Sequence, residues 1–204
     1  MAGRRTGGDS VVDSSVAGLI ARCTQALERS AVFHVLGLEH ADARRAYALP
    51  VSAAGQQQVA AMLEARISTR RPLPYLTGEA WFAGLPFHVD ERVLVPRSPF
   101  AELIMARFEP WLDPAGVHRI LEIGTGSGCM AIACALAFPA SSVVATDISA
   151  AALQVAQRNV ARHQVADRVQ LIAADLYAGV SGTFDLIISN PPYVSPEEVA
   201  ALPD

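Results

Sequence analysis

The 204-residue chain contains no lysine, since all 16 of its basic residues are arginine. This absence excludes mechanisms that need a lysine Schiff base, a lysine general base or the phosphate-binding lysine of a Walker loop. Only three cysteines are present and they form no CxxC pair, while the five histidines are widely separated. We therefore expect no metal site and no disulfide scaffold, and a reducing compartment fits the chain.

Charge and hydropathy exclude further classes. The formal net charge is −4, which argues against a nucleic-acid backbone as the main partner, so no direct DNA binding is expected. The N-terminus lacks the apolar region of a signal peptide, and glycines and Pro139 interrupt the uncharged stretch 123–146. We expect neither export nor a membrane span, and hence a cytoplasmic protein.

The first part of the chain has helical periodicity. Apolar residues such as Val59, Met62, Leu63 and Ile67 are spaced for one helix face, and similar patterns predict a helical domain over residues 11–74, after a loose tail at residues 1–10. The two prolines in the segment 71–74 are expected to end the last helix and to begin short strands.

Residues 75–117 are predicted to form a hairpin and a linker helix. The segment 79–95 is typical of a hairpin followed by an extended stretch, with Ala83 and Gly84 near the tip. Ser98 is predicted to cap the linker helix, with Pro99 at its first position and Phe108 on its apolar stripe.

Residues 118–204 alternate short apolar strands with helices. The predicted strands are residues 120–123, 143–146, 169–173 and 186–189, and the predicted helices are 129–138 and 149–164. Such alternation indicates an α/β fold with a Rossmann-like parallel sheet and right-handed crossovers.

A glycine-rich loop joins the first strand of this domain to its helix. Glycine stands at 124, 126 and 128, where it lets the backbone approach a ligand closely. The dinucleotide fingerprint would need its third glycine at Cys129, so NAD binding is not predicted. The loop and the acid before it resemble the pattern of S-adenosylmethionine methyltransferases, with candidate cofactor contacts at Glu122, Gly124, Thr125, Gly126, Ser127 and Gly128.

Two acids follow the next strands. Asp147 ends the second strand, where a carboxylate can accept both ribose hydroxyls, although it could instead merely cap the next helix. Asp175 and Leu176 follow the third strand and are candidates to meet the adenine. A solvated loop acid is the alternative for Asp175.

The fourth strand is followed by Asn190, Pro191, Pro192 and Tyr193, at the same carboxyl edge of the sheet. A rigid strand exit is the plainest interpretation of two prolines. For catalysis, the Asn190 side-chain oxygen and the Pro191 carbonyl can accept both protons of a planar amino nitrogen and favour localisation of its lone pair toward a methyl sulfonium. Tyr193 can pack against the planar group, and no basic residue is needed to deprotonate it beforehand.

Together with the hairpin 81–87 and the helical N-terminal part, these motifs resemble the HemK family of protein-(glutamine-N5) methyltransferases over nearly the whole chain. The resemblance implies S-adenosylmethionine bound at 124–128, Asp147 and Asn190, a glutamine held by 190–193, and substrate recognition by residues 11–74. Release-factor enzymes have Pro-Arg-Pro-Asp-Thr-Glu after the hairpin, whereas the sequence from Pro96 to Leu103 resembles the branch that methylates large-subunit ribosomal protein L-three. Relatives often have an aromatic residue where this chain has Leu176.

Three alternatives stay open beside methylation of the ribosomal protein. They are methylation of a release factor, methylation of adenine N6 in a nucleic acid, and a non-catalytic binding module. In members of the family the sheet continues beyond the fourth strand. We therefore expect this chain to hold only part of the methyltransferase domain, to expose an apolar edge at 186–188 and to have weak or no activity by itself.

Four further residues have two interpretations each. Trp81, Phe82 and Phe87 of the hairpin are expected to seal the interface between domains, or else to line the glutamine pocket. Arg97 is expected either to bind the substrate or to stabilise the linker.

Overall fold

The computed structural model describes residues 50–191. The helices predicted between residues 12 and 49 lie outside this range, as do Pro192 and Tyr193. The chain divides into two compact units, residues 1–77 and residues 78–204.

The described part of the first unit is helical. Helix α1, Ala53–Thr69, begins where the Ser52 hydroxyl accepts a hydrogen bond from the Gly55 amide at 3.1 Å, and it ends at Arg70 in the left-handed conformation. The periodicity that predicted this helix is confirmed, but its two ends differ in burial, since Val59 is fully buried and Ile67 is 65% exposed.

The expectation that the chain turns to strands at residues 71–74 is wrong. A second short helix, α2 (Leu73–Thr77), intervenes before the first strand. Pro72 precedes it and Pro74 lies in its first turn, where the missing N–H and the fixed φ of proline are compatible with a helix.

The second unit opens with the predicted hairpin. Strand β1, Glu79–Phe82, pairs antiparallel with β2, Leu85–His88. Ala83 and Gly84 connect them with φ of 48° and 75°, and positive φ at both central residues matches the right-handed twist of the flanking strands. The extended stretch at 93–95 is not part of a strand.

The linker helix is shorter than predicted. Helix α3 is Phe100–Met105, so Pro99 stands at the cap position rather than at the predicted first helical position, and the cap makes no side-chain hydrogen bond. The Ser98 hydroxyl, one residue earlier, accepts a hydrogen bond from the Phe100 amide at 3.3 Å. Phe108 comes after the helix in a left-handed conformation, yet it is buried and packs between Phe100 and Phe138. The Phe108 ring is therefore buried although it does not lie on the apolar face of the linker helix, where the sequence predicted it.

The rest of the described unit alternates strands and helices as predicted. Its elements are β3 (Arg119–Ile123), α4 (Cys129–Ala137), β4 (Ser142–Asp147), α5 (Ala150–Arg162), β5 (Val169–Ala173) and β6 (Leu186–Ser189). The four strands pair in parallel in the order β5-β4-β3-β6. The sheet confirms the Rossmann-like α/β fold class.

The main core of this unit lies around α4, whose residues 129–135 are all buried. Such a helix is apolar all round because it packs between the sheet and other elements. Phe82 and Phe87 of the hairpin belong to the same core. Two of the three aromatic side chains that the sequence singled out, Phe82 and Phe87, therefore pack the hairpin against the rest of the second unit.

Strand register determines which residues meet at the carboxyl edge. Ile123 of β3 lies opposite Thr146 of β4 and Ser189 of β6. The residues that follow these three positions, Gly124, Asp147 and Asn190, therefore leave the sheet at neighbouring points. Within residues 50–191, β6 pairs with β3 alone and its Ile187 is 58% exposed. None of the helices in this range is both long and apolar enough to cross a lipid bilayer.

Gly128 provides a test of how α4 and α5 fit together. It has φ of 80°, and a Cβ there would lie 3.2 Å from the Cβ of Ala156. Gly128→Ala is expected to destabilise the protein by roughly 1–3 kcal/mol because of backbone strain and crowding. Gly116→Ala is the matched control, since a Cβ at Gly116 would have no atom within 4 Å. Urea unfolding that gives equal losses for the two variants would contradict this account.

Candidate active site

A cavity of about 430 Å³ opens at the carboxyl edge of the parallel sheet. The described residues that the sequence singled out for cofactor contacts or catalysis line it, with one exception. The lining ones are Glu122, Gly124, Thr125, Gly126, Ser127, Asp147, Asp175, Leu176, Asn190 and Pro191. Gly128 is the exception, because it packs against Ala156 of α5 rather than facing the cavity.

The glycine loop is held by the neighbouring strand. The amides of Gly124 and Thr125 both donate to the Thr146 carbonyl at 2.9 Å. Gly124 and Gly126 have φ of 74° and 55°, and a Cβ at either would have no atom within 4 Å. The backbone conformation therefore requires these glycines, while the space beside them is open to a ligand.

Glu122 is a buried acid beneath this loop, only 1% exposed. Its Oε2 accepts hydrogen bonds from the Thr125 hydroxyl at 2.6 Å and from the Ala131 amide at 2.8 Å. Burial raises the pKa of Glu122 to about 8, the charge of Asp147 adds to the rise, and the two hydrogen bonds oppose it. A cationic ligand in the cavity would favour the ionised form of this carboxyl.

Asp147 connects the glycine loop to the start of α5. One carboxylate oxygen accepts from the Gly126 amide at 2.8 Å and the other from the Ser149 amide at 2.9 Å. The cap of α5 is Ser149, whose hydroxyl accepts from the Ala152 amide at 3.2 Å, so Asp147 is not the cap of that helix. Each of its oxygens has a further lone pair for a hydroxyl donor, and ribose binding stays a prediction.

Asp175 and Leu176 lie at the rim of the cavity after β5. Both are exposed, and the Thr146 hydroxyl donates to the Leu176 carbonyl at 2.7 Å. This hydrogen bond ties the rim to the strand that also holds the glycine loop. The placement is compatible with contacts to an adenine and equally with a solvated acid, so the role of Asp175 stays a prediction.

Asn190 is half-buried where β6 ends. The Ser98 hydroxyl donates to its Oδ1 at 3.5 Å, and the preceding Ser189 hydroxyl donates to the Ile123 carbonyl at 2.9 Å. The end of β6 is therefore fixed to β3, and the Asn190 side chain contacts the segment that follows the hairpin. The catalytic role of Asn190 and Pro191 stays a prediction.

Residues 92–98 form one wall of the cavity, and of these the sequence had indicated only Arg97 as a possible substrate contact. Arg92 is engaged within the protein: it forms an ion pair with Asp90 at 2.6 Å and donates to the Gln154 side chain at 3.0 Å. The Arg92 guanidinium lowers the pKa of Asp90 to about 2. Arg97 is exposed at the cavity, and no ion pair within residues 50–191 involves it. This segment has no periodic pattern that would have identified it, apart from its place between the hairpin and α3.

The apolar rim residue Ile148 was also missed. It is 76% exposed and lines the cavity directly after Asp147. A large exposed apolar side chain beside an acid at the end of a strand is the signal that would have indicated it. The hairpin aromatics, in contrast, are absent from the lining among the described residues.

A parallel α/β sheet with an acid-glycine loop, a second acid and an Asn-Pro end at one cavity is the arrangement expected of an S-adenosylmethionine-dependent methyltransferase domain. Residues 103–202 match the family model described as "Methyltransferase small domain". The resemblance to the protein-(glutamine-N5) methyltransferases is confirmed by curated relatives.

One such relative is the "Ribosomal protein uL3 glutamine methyltransferase" of Francisella tularensis subsp. tularensis, 48% identical over 140 residues, which are 68% of this chain and 45% of that protein. The protein of the same name from Xanthomonas campestris pv. campestris is 49% identical over 174 residues, 84% of this chain and 56% of that protein. The chain thus spans about half the length of the curated relatives it matches. Among solved structures, a ribosomal protein L11 methylase from Lactobacillus delbrueckii subsp. bulgaricus is 32% identical, with a TM-score of 0.42 over 50% of this chain and 51% of that one.

The buried Glu122 predicts a pH dependence of stability. The ordinary pKa of a glutamate carboxyl is 4.5, whereas that of Glu122 in the folded protein is about 8. Between these two pH values, folded Glu122 keeps a proton that the unfolded chain releases. Stability therefore falls as pH rises through this window, by at most about 1.4 kcal/mol per pH unit from this group.

Glu122→Gln keeps the shape and removes the titration. Urea unfolding of both proteins across this pH range should show the wild type losing stability relative to the variant as pH rises. Parallel stability profiles for the two proteins would show that the Glu122 carboxyl has no raised pKa.

Proposed function

We propose that this protein transfers a methyl group from S-adenosylmethionine to the side-chain amide nitrogen (N5) of a glutamine in large-subunit ribosomal protein uL3 (L-three). The observation that carries the proposal is that Asn190 and Pro191 line the same cavity as the acid-glycine loop. Acceptors suited to a planar amide thus lie beside a site suited to the cofactor. The names of the curated relatives support the choice of substrate.

The residues present fit the cofactor. The cavity volume of about 430 Å³ lies within the range of small-molecule sites, and the open space beside Gly124 and Gly126 allows a ligand to approach the backbone. Asp147 offers acceptors for the ribose hydroxyls. The Glu122 carboxyl lines the same cavity, where the positively charged amino group of the cofactor would favour its ionised form. S-adenosylmethionine supplies an electrophilic methyl group on a sulfonium.

The polar groups after β6 suit an amide nucleophile. The nitrogen of a glutamine side chain is planar and its lone pair is delocalised into the carbonyl, so it attacks poorly unless it is oriented. Asn190 Oδ1 and the Pro191 carbonyl accept its two N–H groups, and these hydrogen bonds strengthen as positive charge develops on the nitrogen. On transfer the nitrogen would gain the bond to the methyl carbon that the sulfonium sulfur gives up, S-adenosylhomocysteine would be the leaving group, and the surplus amide proton would pass to water.

Orientation is the main contribution of the protein in this scheme. Holding two reactants in line contributes on the order of 7–11 kcal/mol to lowering a barrier. The Ser98 hydroxyl, which donates to Asn190 Oδ1, restricts the direction of that oxygen. Because hydrogen-bond acceptors and orientation are sufficient, the scheme needs no lysine, in agreement with the composition of the chain.

Charge and the relatives support a protein substrate. A net charge of −4 favours a protein substrate over a nucleic acid. We propose that residues 11–74 recognise the protein substrate, that residues 118–204 hold the cofactor and that the reaction takes place in the cytoplasm.

Mass spectrometry identifies the substrate. The protein is incubated with labelled S-adenosylmethionine in separate reactions. One contains ribosomal proteins, one contains release factors, and one contains adenine-containing DNA or RNA. We expect label on a glutamine of ribosomal protein uL3. Label on a release factor alone, or on adenine, would contradict the proposed substrate.

Asn190→Ala tests the chemistry. We expect it to lower the rate of methyl transfer by about 100-fold or more, since it removes an acceptor that acts on the reacting nitrogen. Gln157→Ala is the matched control, because it removes an amide from an exposed position of α5 that does not line the cavity. Rates are measured with saturating labelled cofactor, and equal rates in the two variants would contradict the role of Asn190.

A further inference from the structure

Asn159 is a fully buried amide that belongs to no part of the proposed chemistry. It lies on α5 and has no exposed surface. Its Oδ1 accepts from the His88 amide at 2.7 Å, and its Nδ2 donates to the His88 carbonyl at 2.9 Å and to the Ser127 carbonyl at 2.8 Å. Both Nδ2 protons are thus used, and all three partners are backbone groups.

These hydrogen bonds join two elements that are far apart in the sequence. His88 ends strand β2 of the hairpin, whereas Ser127 belongs to the glycine loop and lines the cavity. One side chain therefore satisfies the polar groups of a strand end and of the cofactor loop at the same time. If the hairpin separated from α5, the Asn159 amide would lose its partners at His88, and a buried polar group without a partner is costly.

Ala156 of α5 and His163 directly after α5 make further contacts, one with the glycine loop and the other with the hairpin. One turn before Asn159, Ala156 packs against Gly128 at the end of the loop. One turn after it, His163 donates from Nε2 to the Pro86 carbonyl at 2.9 Å, and its ring lies 4.8 Å from that of Phe87. The helix thus contacts the loop with one turn and the hairpin with the next.

The arrangement of His163 is consistent with a fixed hairpin. A carbonyl oxygen only accepts hydrogen bonds, so the contact with Pro86 requires a proton on Nε2. Burial lowers the pKa of His163, which favours the neutral ring that packs on Phe87. An ion pair from Arg162 to Glu79 at 2.7 Å holds the other strand of the hairpin.

We propose that Asn159 is a positioning residue that couples docking of the hairpin to the order of the cofactor loop. The inference rests on the proposed function, since it takes the cavity to be the cofactor site. The coupling is reciprocal: a ligand in the cavity stabilises the docked hairpin, and the docked hairpin raises affinity for the ligand.

Binding of S-adenosylhomocysteine to the 204-residue chain, measured by calorimetry, is the first test. Asn159→Ala is expected to raise the Kd by roughly tenfold or more, because the Ser127 carbonyl loses its donor. Val160→Ala is the control. It shortens the next residue of α5, which is 1% exposed in the core, and is expected to change the Kd by less than about threefold.

Hydrogen exchange at the His88 amide is the second test. If Asn159 had only a structural role, its substitution would not change the effect of the ligand on this exchange rate. Saturation with S-adenosylhomocysteine at about ten times its Kd is expected to slow this exchange by about tenfold in the wild type and in Val160→Ala. In Asn159→Ala, the same degree of saturation should leave the exchange rate of that amide unchanged, since the link is gone.

Asn159→Asp keeps the acceptor for the His88 amide but lacks both Nδ2 donors, and its shape is unchanged. It is expected to weaken binding of the ligand as the alanine variant does, and it serves if the alanine variant fails to fold. An unchanged Kd in the Asn159 variants, or equal slowing of His88 exchange in all folded variants, would overturn the coupling and leave the proposed function intact. Failure of the wild type to bind the ligand would overturn both.

Discussion

The parallel register of β3 between β4 and β6 is the constraint on which the site depends. Because Ile123 pairs with both Thr146 and Ser189, the glycine loop, Asp147 and Asn190 leave the sheet side by side. A slip of one residue in either pairing would move each side chain to the opposite face of the sheet. Asp147, the glycine loop and Asn190 are therefore brought together by backbone pairing, to which the hydrogen bond from the Gly126 amide to Asp147 is added.

The two acids of the site also contribute to its structure. Glu122 holds the loop to the first turn of α4, and Asp147 holds it to the start of α5. A loop with positive φ at Gly124, Gly126 and Gly128 would otherwise be costly to order. The cost lies in the burial of Glu122, whose raised pKa shows how poorly the protein interior stabilises its charge. A cationic ligand in the cavity would interact favourably with such a carboxyl.

The hairpin has a larger part in the second unit than its position before the sheet indicates. Phe82 and Phe87 join the core, and Asn159 of α5 and His163 directly after α5 bind the backbone of β2. The segment that follows it, residues 92–98, then forms a wall of the cavity and reaches Asn190 through Ser98. The hairpin is thus connected to the glycine loop through α5, and to the Asn-Pro end through residues 92–98.

The sequence by itself determined the strands and helices of the second unit and the positions of its two motifs, because alternating apolar runs, glycines and prolines act on the local backbone. The tertiary structure alone decided which residues those motifs meet. It showed that Gly128 packs against α5 rather than lining the cavity. It also showed that Pro72 and Pro74 lie at the start of a helix rather than of a strand. Residues 92–98 line the cavity and Asn159 contacts the glycine loop. Contacts between segments so far apart leave no periodic pattern in the chain, since they depend on the register of the sheet and on packing against it.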